Sequence, residues 1–201
     1  MPSKCHRAIY NCYASLANAR IPGKARALGY PFAVPRAEGV TARYLVLGKM
    51  VVQQNGRQIV IERPRRRAVL AYLLLSANRV VSADELIAAV WGDAQPRTAR
   101  AQIHADISAI RRRFRGEHLP SIDTSGSGYV IAVDTSDVDA DLFAQRVAQA
   151  TGAQPRVAAP LLRDALGLWR GAALADITAA FAVAARKRPW SEGYERIRCL
   201  T

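Results

Sequence analysis

The chain has 201 residues, half of them apolar, and a formal net charge of +13. That length holds one domain with a sizeable core or two small ones, and the apolar share supplies material for a core along most of it. No apolar run approaches the ~18 residues of a membrane span, and Lys4 and Arg7 precede no continuous apolar stretch of the secretory kind.

The placement of the charge says more than its size. Residues 1–40 carry six basic residues against Glu38, residues 41–133 fourteen against seven acids, and residues 134–201 nine against eight. An asymmetry of this kind suits a nucleic-acid-binding module joined to a protein-interaction module. A basic surface with no polyanion partner is the competing reading. Cys5, Cys12 and Cys199 lack the spacing of a zinc site, and His6, His104 and His118 are scattered. The expectation is free thiols in a cytoplasmic, nucleoid-associated protein with no metal and no cofactor.

Residues 1–41 mix Pro22, Gly23, Gly29, Pro31 and Pro35 with basic and small residues and read as a mostly disordered basic extension. The pattern changes at Arg43. Tyr44 to Leu47 and Met50 to Val52 have strand composition, Asn55-Gly56 is a hairpin turn signal, and Gln58 to Ile61 returns as the partner strand. Pro64 suits the first turn of a helix whose buried side is Ala68, Val69, Tyr72, Leu73 and Leu75, with Asn78 to end it. Ser82-Ala83-Asp84-Glu85 has capping-box form and opens a second helix, Ala83 to Trp91, with Leu86, Ile87, Val90 and Trp91 directed to the core.

The third helix, residues 97–114, follows Pro96. Ile103, Ile107, Ile110 and Phe114 recur at helical spacing and make one apolar stripe. The opposite face carries Ala101, Ala105, Ser108 and Arg112, flanked by Arg97, His104 and Arg111. Ile122 to Thr124, a Ser125-Gly126-Ser127-Gly128 turn and Tyr129 to Val133 then form a second hairpin. Sheet, three helices and terminal hairpin in that order predict an α+β fold, a winged helix-turn-helix of the OmpR type over residues 42–134, with the wing at 122–133.

These segments also resemble a known family, the Streptomyces antibiotic regulatory proteins (SARP-type regulators). The resemblance rests on Arg66 through Leu75, Asn78 through Ser82, Glu85-Leu86 through Val90-Trp91-Gly92, Ile107-Ser108 with Ile110-Arg111-Arg112, and Gly126 through Tyr129. It continues more loosely through Val138 to Phe143, Leu161 to Leu166, Leu168 to Gly171 and Ala173 to Asp176. Those stretches look like the start of the family's bacterial transcriptional activation domain, an array of helical hairpins similar to tetratricopeptide repeats. Residues 135–201 are therefore expected to be a short, truncated all-α segment of that kind, with Arg186 to Trp190 departing from the pattern. A solenoid repeat cannot bury its apolar face alone, so such a segment must lean on the winged helix, pair with another chain, or fray.

The family implies a transcription activator that places the third helix in the major groove of double-stranded DNA. By that resemblance Ala101, Ala105, Asp106, Ser108, Ala109 and Arg112 approach the DNA. Arg112 and His104 are expected as long polar contacts, with Arg97 and Arg111 on phosphate. Ser127 and Tyr129 sit where a wing would touch the backbone, although an ordinary tight turn explains the same glycines. Arg65, Arg66 and Arg67 would clamp phosphate or form a solvated charged face. The family further implies tandem occupancy of repeated half-sites by a pair of chains, and contacts to RNA polymerase.

Alternatives remain at this level: a winged helix that binds protein, or a truncated regulator that occupies DNA without activating. No P-loop, Gly-x-Ser-x-Gly or His-Glu-x-x-His motif suggests an enzyme. Asp137, Asp139 and Asp141 alternate as in a calcium loop, but Leu142 stands where that loop needs glycine, so helix capping by Asp139 or Asp141 is the preferred reading.

Overall fold

The computed structural model describes residues 41–151, 153–186 and Tyr194. The basic extension expected over residues 1–41 lies outside these residues except for Thr41, as does the Lys187 to Trp190 part of the departing stretch.

Three short strands open the described chain: β1 (Ala42–Leu45), β2 (Val51–Gln54) and β3 (Arg57–Ile59), paired antiparallel in that order. Asn55 and Gly56 turn the hairpin with φ of 49° and 79°, the left-handed geometry that this residue pair tolerates. Helix α1 (Pro64–Leu75) starts with Pro64 in its first turn and is buried more completely than its periodicity suggests, since Leu70, Ala71 and Leu74 are enclosed along with Ala68, Val69 and Leu73. The chain leaves it through Asn78 at φ 62°, whose side chain exchanges hydrogen bonds with the Val133 backbone at 2.9 and 3.1 Å.

Val81–Ser82 forms a two-residue strand, β4. Helix α2 (Ala83–Trp91) follows, and the Ser82 hydroxyl accepts from the Glu85 N–H at 3.0 Å. The second half of the expected capping box is absent: the Glu85 carboxylate turns outward to Arg79 and to the Tyr72 hydroxyl, because a guanidinium is a stronger partner than a backbone N–H.

Helix α3 runs Ala99–Gly116. Its start is two residues later than expected, leaving Arg97 in the preceding turn. The wing hairpin is β5 (Ile122–Ser125) and β6 (Gly128–Ile131), and β4 pairs with β6 to make a three-stranded sheet of order β4-β6-β5. Gly128 is needed there. A Cβ at that position would stand 2.5 Å from the Val81 carbonyl oxygen.

The boundary expected at residue 134 falls beside a 3-10 turn, Thr135–Asp137. Beyond it lie α4 (Asp139–Ala150), α5 (Pro155–Leu166) and the short α6 (Ala180–Ala185), with α4 and α5 packed as a hairpin. The helical part does lean on its neighbour. One continuous cluster of buried apolar side chains runs from Ala42 and Tyr44 through Leu70, Ile107 and Phe114 to Phe143, Ala165 and Ala182.

Asp139 is 3% exposed and does not cap its own helix. Its carboxylate instead accepts the backbone N–H groups of Val46 and Leu47 at 2.7 and 3.0 Å, with the Arg170 guanidinium 3.5 Å away. Backbone bonds from Arg170 to Leu47 and from Leu174 to Val46, and a 2.8 Å bond from Met50 N–H to Asp176, extend this join between the β1–β2 loop and the helical part. The capping reading for Asp139 is thereby corrected. A loop with no strand partner offers N–H groups that need an acceptor, and an ionised carboxylate is the strongest one present. Burial pushes the Asp139 carboxyl above its ordinary range, against the opposing pull of those hydrogen bonds and of Arg170.

Candidate nucleic-acid interface

The apolar stripe of α3 is entirely enclosed: Ile103, Ile107, Ile110 and Phe114 are 0–1% exposed, and Phe114 meets Tyr44 at a ring separation of 6.5 Å. A helix held this firmly along one side presents its other side as a fixed surface. Ala101, His104, Ala105, Ser108 and Arg112 are all exposed on it, and Arg97 is exposed in the turn just ahead. Among the described residues, neither Arg97 nor Arg112 has an ion-pair partner, so two permanent cations flank a face made otherwise of small and weakly polar side chains.

The wing is fastened to this helix. Arg111 donates through Nε to the Ile122 carbonyl at 2.5 Å and through Nη2 to Thr124 Oγ1 at 2.8 Å, and its guanidinium lies 5.9 Å from the centre of the Tyr129 ring. The Tyr129 hydroxyl lies 2.7 Å from His104 Nδ1. Tyr129 is 4% exposed, and burial raises its phenol pKa against the lowering influence of Arg111 and Arg100. Ser127 is exposed at the tip of the turn, where Gly126 takes φ 57°.

The structure therefore redistributes the expected roles. Tyr129 faces α3 from inside the sheet, because strand alternation puts the residue after Gly128 on the helix side. Arg111 spends its donors on the wing. Asp106, expected beside the groove, is 1% exposed and sits on the flank of the helix that faces α1. There it accepts from Arg65 Nε at 2.5 Å and from Arg66 Nε at 3.3 Å, while Gln102 Oε1 accepts from Arg65 Nη1 at 2.5 Å. Arg65 also lies over the Trp91 ring at 5.7 Å. Arg67 is engaged elsewhere: it donates to the Ile61 and Glu62 carbonyls and pairs with Asp176 at 3.3 Å. The three consecutive arginines thus split, two toward α3 and one toward the helical part.

Sequence reasoning missed Asp106 as an internal partner, although a signal existed. A carboxylate one residue before Ile107 and three after Ile103 lies on the border of a buried stripe, where an ion requires a partner. Asp139 and Asp176 carried no comparable signal, since the backbone N–H groups that they accept are more than 90 residues away along the chain. Among the described residues no group of three or more His, Cys, Asp or Glu could hold a metal ion, and no helix is long and apolar enough to cross a membrane.

A firmly seated helix with an exposed face, a wing pinned beside it and cations at its edges define the class: a winged-helix DNA-binding regulator. Comparisons with known proteins agree. Residues 56–131 match the family described as transcriptional regulatory protein, C terminal, and residues 134–199 match the bacterial transcriptional activator domain. The chain is 32% identical over 143 residues to the transcriptional regulatory protein MoaR1 of Mycobacterium tuberculosis, covering 67% of this chain and 46% of that one. It is 33% identical over 150 residues to the regulatory protein AfsR of Streptomyces griseus, covering 73% and 15%. Among solved structures, Mycobacterium tuberculosis EmbR in complex with a low affinity phosphopeptide superposes with a TM-score of 0.69 at 27% identity, over 78% of this chain and 44% of that one. The chain belongs to the SARP-type transcriptional regulators, and it spans less than half the length of each of these relatives.

Proposed function

We propose that the chain acts as a sequence-specific transcription activator in the cytoplasm, at the nucleoid, with α3 in the major groove and the wing against the adjoining backbone. The observation that carries this reading is the exposed face of α3 opposite a fully enclosed stripe. Ala101, Ala105 and Ser108 allow close approach and apolar contact with thymine methyl groups. Arg112 and His104 supply the long polar contacts, Arg97, Arg65 and Arg66 the phosphate contacts, and Ser127 the wing contact. Arg111 and Tyr129 support this surface from behind, whereas Arg67 ties α1 to the helical part. With so few base-reading side chains, one domain discriminates weakly, and occupancy of repeated half-sites by two chains supplies the rest. The helical part is then the surface offered to RNA polymerase.

Fluorescence anisotropy against the gene's own upstream duplex and a scrambled duplex, across salt concentrations, tests this. Three arginines on phosphate predict a log–log salt slope of about −2.7. A preference of about tenfold, or ~1.4 kcal/mol, for the native duplex supports sequence reading. Equal affinity for both duplexes overturns it.

A further inference from the structure

Arg65 and Arg66 stand at the start of α1, where the helix dipole disfavours cations, yet they are directed onto the flank of α3 by a single buried carboxylate. Both bind Asp106 through Nε, which is the inward edge of the guanidinium. Gln102 takes one further donor from Arg65. The remaining donors, Nη2 of Arg65 and both Nη groups of Arg66, donate to no acceptor among the described residues, and the two side chains retain 34% and 26% exposure. Asp106 follows the exposed Ala105 directly, so both guanidinium groups are held on the flank of α3 next to the face assigned to the groove.

We propose that Asp106 is a positioning residue for DNA binding: it holds Arg65 and Arg66 as a fixed pair whose remaining N–H groups receive a backbone phosphate beside the major groove. The inference rests on the DNA-binding reading above. Its physical content is an inversion of the usual sign. An acid next to a polyanion repels it, and removing one strengthens binding. Asp106 does the opposite, because two long cationic side chains held in place lose less freedom on binding than two that must be gathered from solvent.

The test is anisotropy titration of the whole chain on its own upstream duplex as a function of salt, with D106N beside the parent protein. D106N keeps the size and one acceptor and raises the net charge by one. The expected result is weaker binding and a salt slope shallower by about 1 to 2, since each lost phosphate contact removes about 0.9. Gln102→Ala, which alters no charge and no buried group, is expected to weaken binding in the parent background and to have no effect in an Arg65→Gln background. That pair of measurements holds even if D106N folds poorly. Unchanged or tighter binding by folded D106N, or equal effects of Gln102→Ala in both backgrounds, overturns the inference while the parent's binding leaves the DNA-binding reading intact. Failure of the parent chain to bind the duplex overturns both.

Discussion

Individual side chains here are fixed by what their neighbours lack. Gly128 is required not by its own backbone angle but by β4, whose Val81 carbonyl would stand 2.5 Å, and Val80 Cγ1 2.9 Å, from any Cβ. Gly128→Ala is therefore expected to cost about 1–3 kcal/mol through forced separation of β4 and β6, measured by urea unfolding. Glu85 makes the stability depend on pH. The Arg79 hydrogen bond foremost, then that of Tyr72, holds its carboxyl below its ordinary value, with desolvation opposing. The folded value lies below the unfolded one, so this stabilisation is complete above the unfolded pKa and is lost as pH falls through the folded one. Glu85→Gln should flatten that part of the acid limb in thermal melts. Asp139 contributes with the other sign. Its raised value favours the fold at low pH, and that contribution is lost as pH rises from the unfolded value through the folded one.

At the scale of elements, α3 and the wing operate as one rigid unit because Arg111 bridges them with two donors from a planar fork. Lysine keeps the charge but is a single rotatable point donor. Arg111→Lys is thus expected to loosen the wing and weaken DNA binding while leaving the salt slope unchanged, since no phosphate contact is removed. Anisotropy at several salt concentrations separates these effects: a shallower slope would mean that Arg111 itself touches phosphate. The second face of the helix-turn-helix is also occupied. Phe181 on α6 meets Tyr72 of α1 edge-on at 5.1 Å, and the same Tyr72 donates to Glu85 of α2.

For the molecule as a whole, the helical part and the winged helix share one core and a polar seam. Asp139 and Asp176 receive three backbone N–H groups from the β1–β2 loop, and Arg170 closes the seam with a bond to the Lys49 carbonyl at 3.1 Å. Replacing either acid by asparagine leaves a donor facing a donor, at a cost of about 1–3 kcal/mol each. The Asp139→Asn/Asp176→Asn pair should lower the midpoint of a single unfolding transition. A midpoint equal to that of the parent would show that the seam does not stabilise the join.

Local pattern alone determined much of this protein. Asn55-Gly56, Pro64, Ser82, and the spacing of Ile103, Ile107, Ile110 and Phe114 act within a few residues of themselves, so turns, helix starts and the enclosed side of α3 are legible without a partner. The exposure of Ala101, Ala105, Ser108 and Arg112 follows from the same periodicity. Only the tertiary structure decided where the long charged side chains go. Arginine reaches far and pairs with whichever carboxylate folding brings near, so Arg65 and Arg66 turn to Asp106, Arg67 to Asp176, and Arg170 to Asp139. The same holds for β4, a two-residue strand too short to show a period, which exists because β6 lies beside it. Short-range sterics are written in neighbouring residues, whereas electrostatic pairing and strand addition depend on distances that exist only after the chain has closed on itself.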